Sequence, residues 1–307
     1  MNNVSENRNQ LEVFERDLLP NDLSNSQTPA TVLGYGEIST VFALGDDTDH
    51  AYKRMPLFDS CRAAEVYADN YRRYCGWLKE TGLTLPDDRT EIIEISSRPV
   101  VLYIVQKQLP SERFAHQIAR NALEEEMEPL IRYIVAGIGK VWRFNAEHQP
   151  ELELAIDGQL SNWVLTEDGT LYYIDTSTPL FRLSGEEQLD PELFLKSAPG
   201  FLRWIIRWLF LKDVMNRYYE SRQVFIDLAA NLYKEQRPDL VPLTVEIINR
   251  ELGSELDPLK VEEIEKYYKE DKFIWTLFLA FRRFDRWLKT TIFRKRYEFI
   301  LPGKIER

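Results

Sequence analysis

Cysteine and histidine are scarce in this 307-residue chain, which has two of the first and three of the second. Cys61 and Cys75 fall on one predicted helix. A rise of about 1.5 Å per residue sets them about 21 Å apart, too far for a disulfide. Buried thiols in a reducing cytoplasm are expected instead. His50, His116 and His148 show no metal-ligand spacing and have no cysteine partners. That argues against zinc and against Cys-His or Ser-His hydrolysis. No apolar run reaches about 18 residues, and Met1 to Arg8 is polar, so neither a spanning helix nor a secretory signal is expected. Repeats and low-complexity tracts are missing as well. Net positive charge is lacking overall, with −11 at pH 7 and a pI of 5.0. No basic patch is interleaved with loop aromatics, so nucleic acid is not favoured as a partner.

What is present is concentrated in Ala155-Ile-Asp-Gly-Gln-Leu-Ser-Asn-Trp-Val-Leu165 and Leu171-Tyr-Tyr-Ile-Asp175. Asp157, Asn162 and Asp175 follow one another at gaps of five and thirteen residues. Between them, Thr166-Glu-Asp-Gly-Thr170 is flanked by β-branched and aromatic runs. Asp-Gly in that setting predicts a hairpin with φ > 0 at both central turn positions. Asp157 and Asn162 then lie on a loop entering one strand, and Asp175 at the far end of its partner. Antiparallel pairing gathers these two carboxylates and the carboxamide. Oxygen donors of this kind suit Mg²⁺, which binds through a few protein oxygens, waters and phosphates.

Upstream, Val32-Leu-Gly34-Tyr-Gly36-Glu-Ile-Ser39-Thr-Val41 reads as strand, glycine turn, strand, and His50-Ala-Tyr-Lys53 adds a strand bearing one lysine. A glycine turn brings backbone amides close to phosphates, and a strand lysine places a point charge on them. Taken alone, such a turn is most often a plain hairpin and such a lysine is usually solvated. The order carries the weight: glycine turn, lysine, helix with a glutamate, linker, long helix, Asp-x4-Asn, hairpin, Asp.

In that order the chain resembles the protein-kinase-like superfamily, closest to its aminoglycoside- and choline-kinase-like small-molecule phosphotransferases, over about residues 31–180. The resemblance implies an α+β, bilobal protein-kinase-like fold, with a small antiparallel-sheet N-lobe and a larger, mostly helical C-lobe. It implies ATP and Mg²⁺ as cofactors, Asp157 as the base that orients the acceptor hydroxyl, and Asn162 and Asp175 as metal ligands. Lys53 would hold the α/β-phosphates, Glu65 would orient Lys53, and Gly34 and Gly36 would form the loop above them. Val41, Gln106 and Leu109 would complete the nucleotide site. Glu65 lies at the border of a small-residue stripe (Cys61, Ala64, Ala68, Cys75), where an inward turn and a surface position are equally open.

Departures from the pattern are clear. Leu154-Ala-Ile-Asp157 lacks the His that normally braces the loop, and Asp175-Thr-Ser-Thr-Pro179 replaces Asp-Phe-Gly. No Arg precedes Asp157, and no long activation segment follows Asp175. The third loop glycine is Ser39. The leading expectation is therefore an enzyme that phosphorylates a hydroxyl of a small molecule. A kinase-like pseudoenzyme or nucleotide-binding scaffold, and a protein-directed kinase or nucleotidyltransferase, stay open beside it.

Pattern sets the organisation: an N-terminal arm over 1–30 with a helix from Gln10 to Leu19, an N-lobe over 31–105 and a hinge over 106–110. A helical C-lobe over 111–307 carries the catalytic hairpin at 154–176. Helices are predicted over 60–80, 111–128 and 129–147, and through most of 190–296. From Lys272 to Arg307, four Lys and six Arg face one Asp and two Glu, about +7, leaving about −18 elsewhere. The aromatic, amphipathic segment 273–296 therefore invites contact with an anionic membrane or an acidic partner, as does Phe201 to Leu211. Packing against a neighbouring helix is the favoured reading. Acidic residues Glu186, Glu187, Asp190 and Glu192 suggest either a cationic substrate or, preferably, a solvated loop.

Overall fold

The computed structural model describes residues 2–302 apart from 21, 24–26, 37, 197–199, 201, 202, 204–214 and 253–256. The class is α+β, with about half of the chain helical. Strands β1 (Ala30–Tyr35), β2 (Thr40–Leu44), β3 (His50–Phe58), β4 (Asp88–Ile93) and β5 (Val100–Lys107) form one antiparallel sheet in the order β1-β2-β3-β5-β4. Helix α1 (Asn2–Asp17) precedes it, and α2 (Cys61–Glu80) lies between β3 and β4.

Alternation along β5 assigns the two faces. Val100, Leu102 and Ile104 join the cluster that holds Tyr67, Tyr71, Tyr74 and Leu78 of α2. Val101, Tyr103 and Val105 join Leu11, Phe14 and Leu18 of the N-terminal arm. Each large side chain sealed this way is worth about 1.5–3 kcal/mol. Helix α2 follows its sequence signals: Ser60 caps it by accepting from the Ala63 N–H at 3.2 Å. Gly82, at φ +88, takes the chain out where a side chain would be strained.

The outer face of the sheet is also where α1 meets the segment around Glu298. Glu15 of α1 is fully buried and accepts from Arg54 Nε and Nη2, both at 2.7 Å, and from the Tyr103 hydroxyl at 2.6 Å. Arg98 joins them, and Arg54 also donates to the Glu298 carbonyl at 2.8 Å and to its carboxylate at 3.2 Å. Four charged side chains are thus held together by mutual compensation, the condition for burying any of them.

Downstream lie α3 (Ala115–Asn121), α4 (Glu124–His148), β6 (Leu152–Leu154), β7 (Trp163–Leu165), β8 (Leu171–Tyr173), β9 (Phe181–Leu183) and β10 (Glu186–Glu187). Helices α5 (Glu192–Lys196), α6 (Ser221–Lys234), α7 (Val241–Leu252) and α8 (Val261–Trp287) follow. Strand β9 pairs with both β6 and β10, and β7 with β8. The cluster beneath α2 runs without a break into α4, α6 and α7.

Several expectations are corrected. The break between α3 and α4 falls at residues 122 and 123 rather than beside Pro129, because Glu126 reaches back to cap the Leu123 N–H at 2.7 Å. Pro129 consequently stands inside α4. The β7–β8 turn is a three-residue loop with only Gly169 at positive φ, +82. Asp168 stays in ordinary space, its carboxylate accepting from Thr166 Oγ1 and the Thr170 N–H. The aromatic stripe of α8 does not pack on a neighbour among the described residues: Phe273, Phe284 and Trp287 are exposed. The companion stretch from Phe201 to Leu211 lies, apart from Arg203, outside the described residues.

Candidate active site

Register places the upstream candidates. Gly34 pairs with Val41, Val41 with Lys53, and Lys53 with Ile104. Directly opposed residues share a face, so Gly34, Val41 and Lys53 form one cross-strand row on the side of the sheet that carries α2. The turn beyond them closes on itself, with the Gly36 N–H donating to the Ser39 carbonyl at 3.0 Å. A Cβ at Gly36 would stand 2.7 Å from Ser39 Oγ. Ile38, near the tip of this turn, is buried in the inner cluster.

Lys53 is 7% exposed and donates to the Ile174 carbonyl at 2.7 Å. Burial pushes its ammonium below the ordinary lysine value, opposed by the negative charge of Asp175. The lysine and the end of the hairpin are therefore in direct contact. Glu65 takes no part. It is 55% exposed and pairs with Arg62 on the outer side of α2 at 3.9 Å. At the stripe's edge the outward rotamer keeps its charge in water, and the Ile174 carbonyl orients Lys53 in its place.

The hairpin brings the remaining candidates together. The Ile174 N–H donates to the Asn162 carbonyl at 2.9 Å, joining loop and strand end. Asn162 Nδ2 donates to the Asp157 carbonyl at 3.2 Å. The Gln159 N–H returns to Asp157 Oδ1 at 3.0 Å, and Ser177 Oγ donates to Asp175 Oδ1 at 3.1 Å. Burial pushes the Tyr173 phenol up, and the Tyr74 hydroxyl and the Asp175 and Asp157 carboxylates push it further. Both carboxylates thus act on one buried ring.

The loop is braced without histidine. Tyr74 donates to the Ala155 carbonyl at 2.6 Å, and the Tyr173 hydroxyl accepts from the Asp157 N–H at 3.2 Å. Asn145 of α4 holds both backbone groups of Leu154, donating to its carbonyl at 2.7 Å and accepting from its N–H at 2.8 Å. Asn231 of α6 accepts from the Leu160 N–H at 3.1 Å. Gly158 lets α6 approach: a Cβ there would lie 2.7 Å from Val224 Cγ1 and 3.3 Å from the Val224 carbonyl. Sequence reasoning missed these supports. Tyr74 reads as core, and a lone Asn in a helical pattern carries no signal of its partner.

Gln106 lies one element earlier than expected, in the sheet rather than in the segment that follows it. Strand β5 runs through Lys107, so Gln106 is flanked by Ala51 and Asp88. Its side chain turns inward to Thr176 Oγ1 at 3.1 Å. The Lys107 and Gln108 N–H groups are taken by the carbonyls of Asp87 and Asp49. Leu109 follows, half-buried. The acidic group at 186–192 is not a solvated loop throughout, because Glu187 accepts from the Tyr219 hydroxyl at 2.9 Å and pairs with Arg182.

The chain belongs to a family of unknown function (DUF6206), whose profile it matches over residues 16–286. No curated protein sequence matches it. Among the described residues no group of three or more His, Cys, Asp or Glu side chains is placed to hold a metal ion. None of the described helices is long and apolar enough to cross a membrane.

Proposed function

We propose that this protein is an ATP- and Mg²⁺-dependent phosphotransferase, of bilobal protein-kinase-like architecture, acting on a hydroxyl of a small molecule. The observation that carries the reading is the 2.7 Å contact of Lys53 with the Ile174 carbonyl, beside Asp175. It joins the glycine-turn sheet to the Asp157–Asn162–Asp175 hairpin, the juxtaposition that transfer from a nucleotide to a loop-held acceptor needs.

The donor set fits the metal in kind. Asp175 offers a carboxylate oxygen, and Asn162, whose Nδ2 is turned to the Asp157 carbonyl, has its carboxamide oxygen on the other branch. One carboxylate and one carboxamide suffice for Mg²⁺ when phosphates and waters complete its shell. Bound there, Mg²⁺ supplies neutralisation of phosphate charge. The chain's own residues do the rest. Lys53 sets a fixed positive charge under the glycine turn, and its burial keeps that charge unscreened. Asp157, anchored through its own N–H, carbonyl and Oδ1, orients the acceptor hydroxyl and takes its proton. Positioning and electrostatics dominate such chemistry.

Two further observations support the small-molecule reading. Thr176 and Ser177 are buried, and Phe181 already begins β9, so the chain after Asp175 is short and packed rather than an extended platform for a polypeptide. The bracing by Tyr74, Tyr173 and Asn145 compensates for the missing histidine and speaks against the scaffold reading. The test is incubation with γ-labelled ATP, Mg²⁺ and a panel of hydroxyl-bearing metabolites. Transfer by the wild type, abolished in Asp157→Ala while Mg·ATP binding persists, is expected. Transfer retained by Asp157→Ala would remove this residue from the mechanism.

A further inference from the structure

Helix α8 turns an apolar stripe away from the body of the protein. Phe273, Leu277, Phe284 and Trp287 recur at i, i+4, i+11 and i+14, the spacing of one helical face. They are 69, 44, 48 and 50% exposed. The opposite face holds the buried Ile264, Leu279, Arg282 and Asp285, with the Arg282 guanidinium 5.6 and 5.5 Å from the Phe278 and Phe299 rings. The helix is therefore fixed by its back, and the exposed stripe is not a frayed end. Phe284 and Trp287 stack, with ring centroids 5.9 Å apart. The apolar surface continues past the helix through Ile292 and Phe293, 55 and 58% exposed, and ends in the exposed Arg294, Lys295 and Arg296. A contiguous patch of this kind marks an interaction surface.

Charge decides the occupant. The segment from Lys272 onward carries about +7 and the rest of the chain about −18. A second copy seated parallel on the same stripe would bring two basic ends together. An anionic bilayer instead attracts the basic end, accepts Trp and Phe rings at headgroup depth and repels the acidic remainder, which orients the molecule. The apolar stripe is narrow and charged residues surround it, so the helix lies in the interface rather than crossing it. We propose that the outer face of α8, extended by Ile292–Arg296, docks this protein peripherally on an anionic membrane surface. The inference is independent of phosphotransfer.

The test is co-sedimentation of the full chain with phosphatidylcholine vesicles and with vesicles containing about a third phosphatidylserine. Binding is expected only to the anionic vesicles, and about 0.5 M salt should release it by screening. Phe284→Ser/Trp287→Ser and, separately, Arg294→Glu/Lys295→Glu should each weaken it by about tenfold or more, with unchanged circular dichroism. No binding to anionic vesicles, or binding by both variants as tight as that of the wild type, overturns the proposal. So does a dimer in sedimentation velocity that Phe284→Ser/Trp287→Ser dissociates while vesicles recruit nothing, which would assign the face to a second copy.

Discussion

Lys53 and the Ile174 carbonyl, 121 positions apart in sequence, meet at 2.7 Å. The contact ties the middle strand of the five-stranded sheet to the last residue before Asp175. Arg54, its neighbour in the strand, points to the other face and meets Glu15, also at 2.7 Å. One dipeptide of β3 therefore anchors both sides of the sheet, the candidate site through its lysine and the N-terminal arm through its arginine.

Replacing Lys53 separates function from folding. Lys53→Met fills the same channel with an apolar chain and removes a buried charge, so stability should change by no more than about 1–2 kcal/mol. Transfer should fall by about 10²–10³, the usual cost of losing one fixed electrostatic partner of the transition state. Thermal melts and steady-state rates measured on the same preparation check both. A folded Lys53→Met protein at full rate would dissociate the lysine from the chemistry.

Tyr173→Phe tests the substitute for the missing histidine. It leaves the ring in the core and removes only the hydroxyl that accepts the Asp157 N–H at 3.2 Å. A buried donor left without its acceptor costs about 1–3 kcal/mol. Because that donor belongs to the loop of Asp157, the turnover number should drop more than nucleotide affinity does. Equal turnover in variant and wild type would show that the loop is held without this contact.

Glu15 makes stability pH-dependent at the acid end. Burial pushes its carboxyl up, but Arg54, the Tyr103 hydroxyl and Arg98 outweigh burial and hold it below the ordinary glutamate value of 4.5. A carboxylate depressed in the folded state stabilises fully above the unfolded value, and the contribution is lost as pH falls through the folded one. Glu15→Gln should therefore be less stable than wild type by about 3–5 kcal/mol near neutrality. The difference should shrink once pH drops below about 4.5. Urea unfolding across that range gives the answer, and a difference independent of pH would contradict the assignment.

Local signals were the legible part of the sequence. Helix α2 begins after Ser60 and ends at Glu80 within a residue of its expected limits, because cap, stripe and glycine stop are all short-range. The strands β7 and β8 lie where the Asp-Gly turn put them, although the turn type differs, since Asp168 satisfies its carboxylate without adopting φ > 0. Contacts distant in sequence were not legible. Glu65 sat at the edge of a helical stripe, and only the finished packing shows that it faces water while a carbonyl from the hairpin meets Lys53. Gln106, expected at the start of the hinge, still belongs to β5, because β3 and β4 both extend to pair with that residue, which composition alone does not reveal. The buried Arg54 pairs with residues 39 and 244 positions away, and no window on the sequence contains all three.

The most direct measurement is calorimetric titration of ATP, with and without Mg²⁺, into the wild type and Asp175→Ala. Asp175 lies beside the Lys53 contact and its carboxylate accepts from Ser177 Oγ at 3.1 Å, a single neutral hydrogen bond whose loss the fold should tolerate, so the variant should fold. Mg²⁺-dependent binding by the wild type, lost or weakened at least about tenfold in Asp175→Ala, is the predicted result. Absence of ATP binding with Mg²⁺ present, or the same Mg²⁺-dependent affinity in both proteins, would contradict the assignment of a nucleotide–metal site to this hairpin.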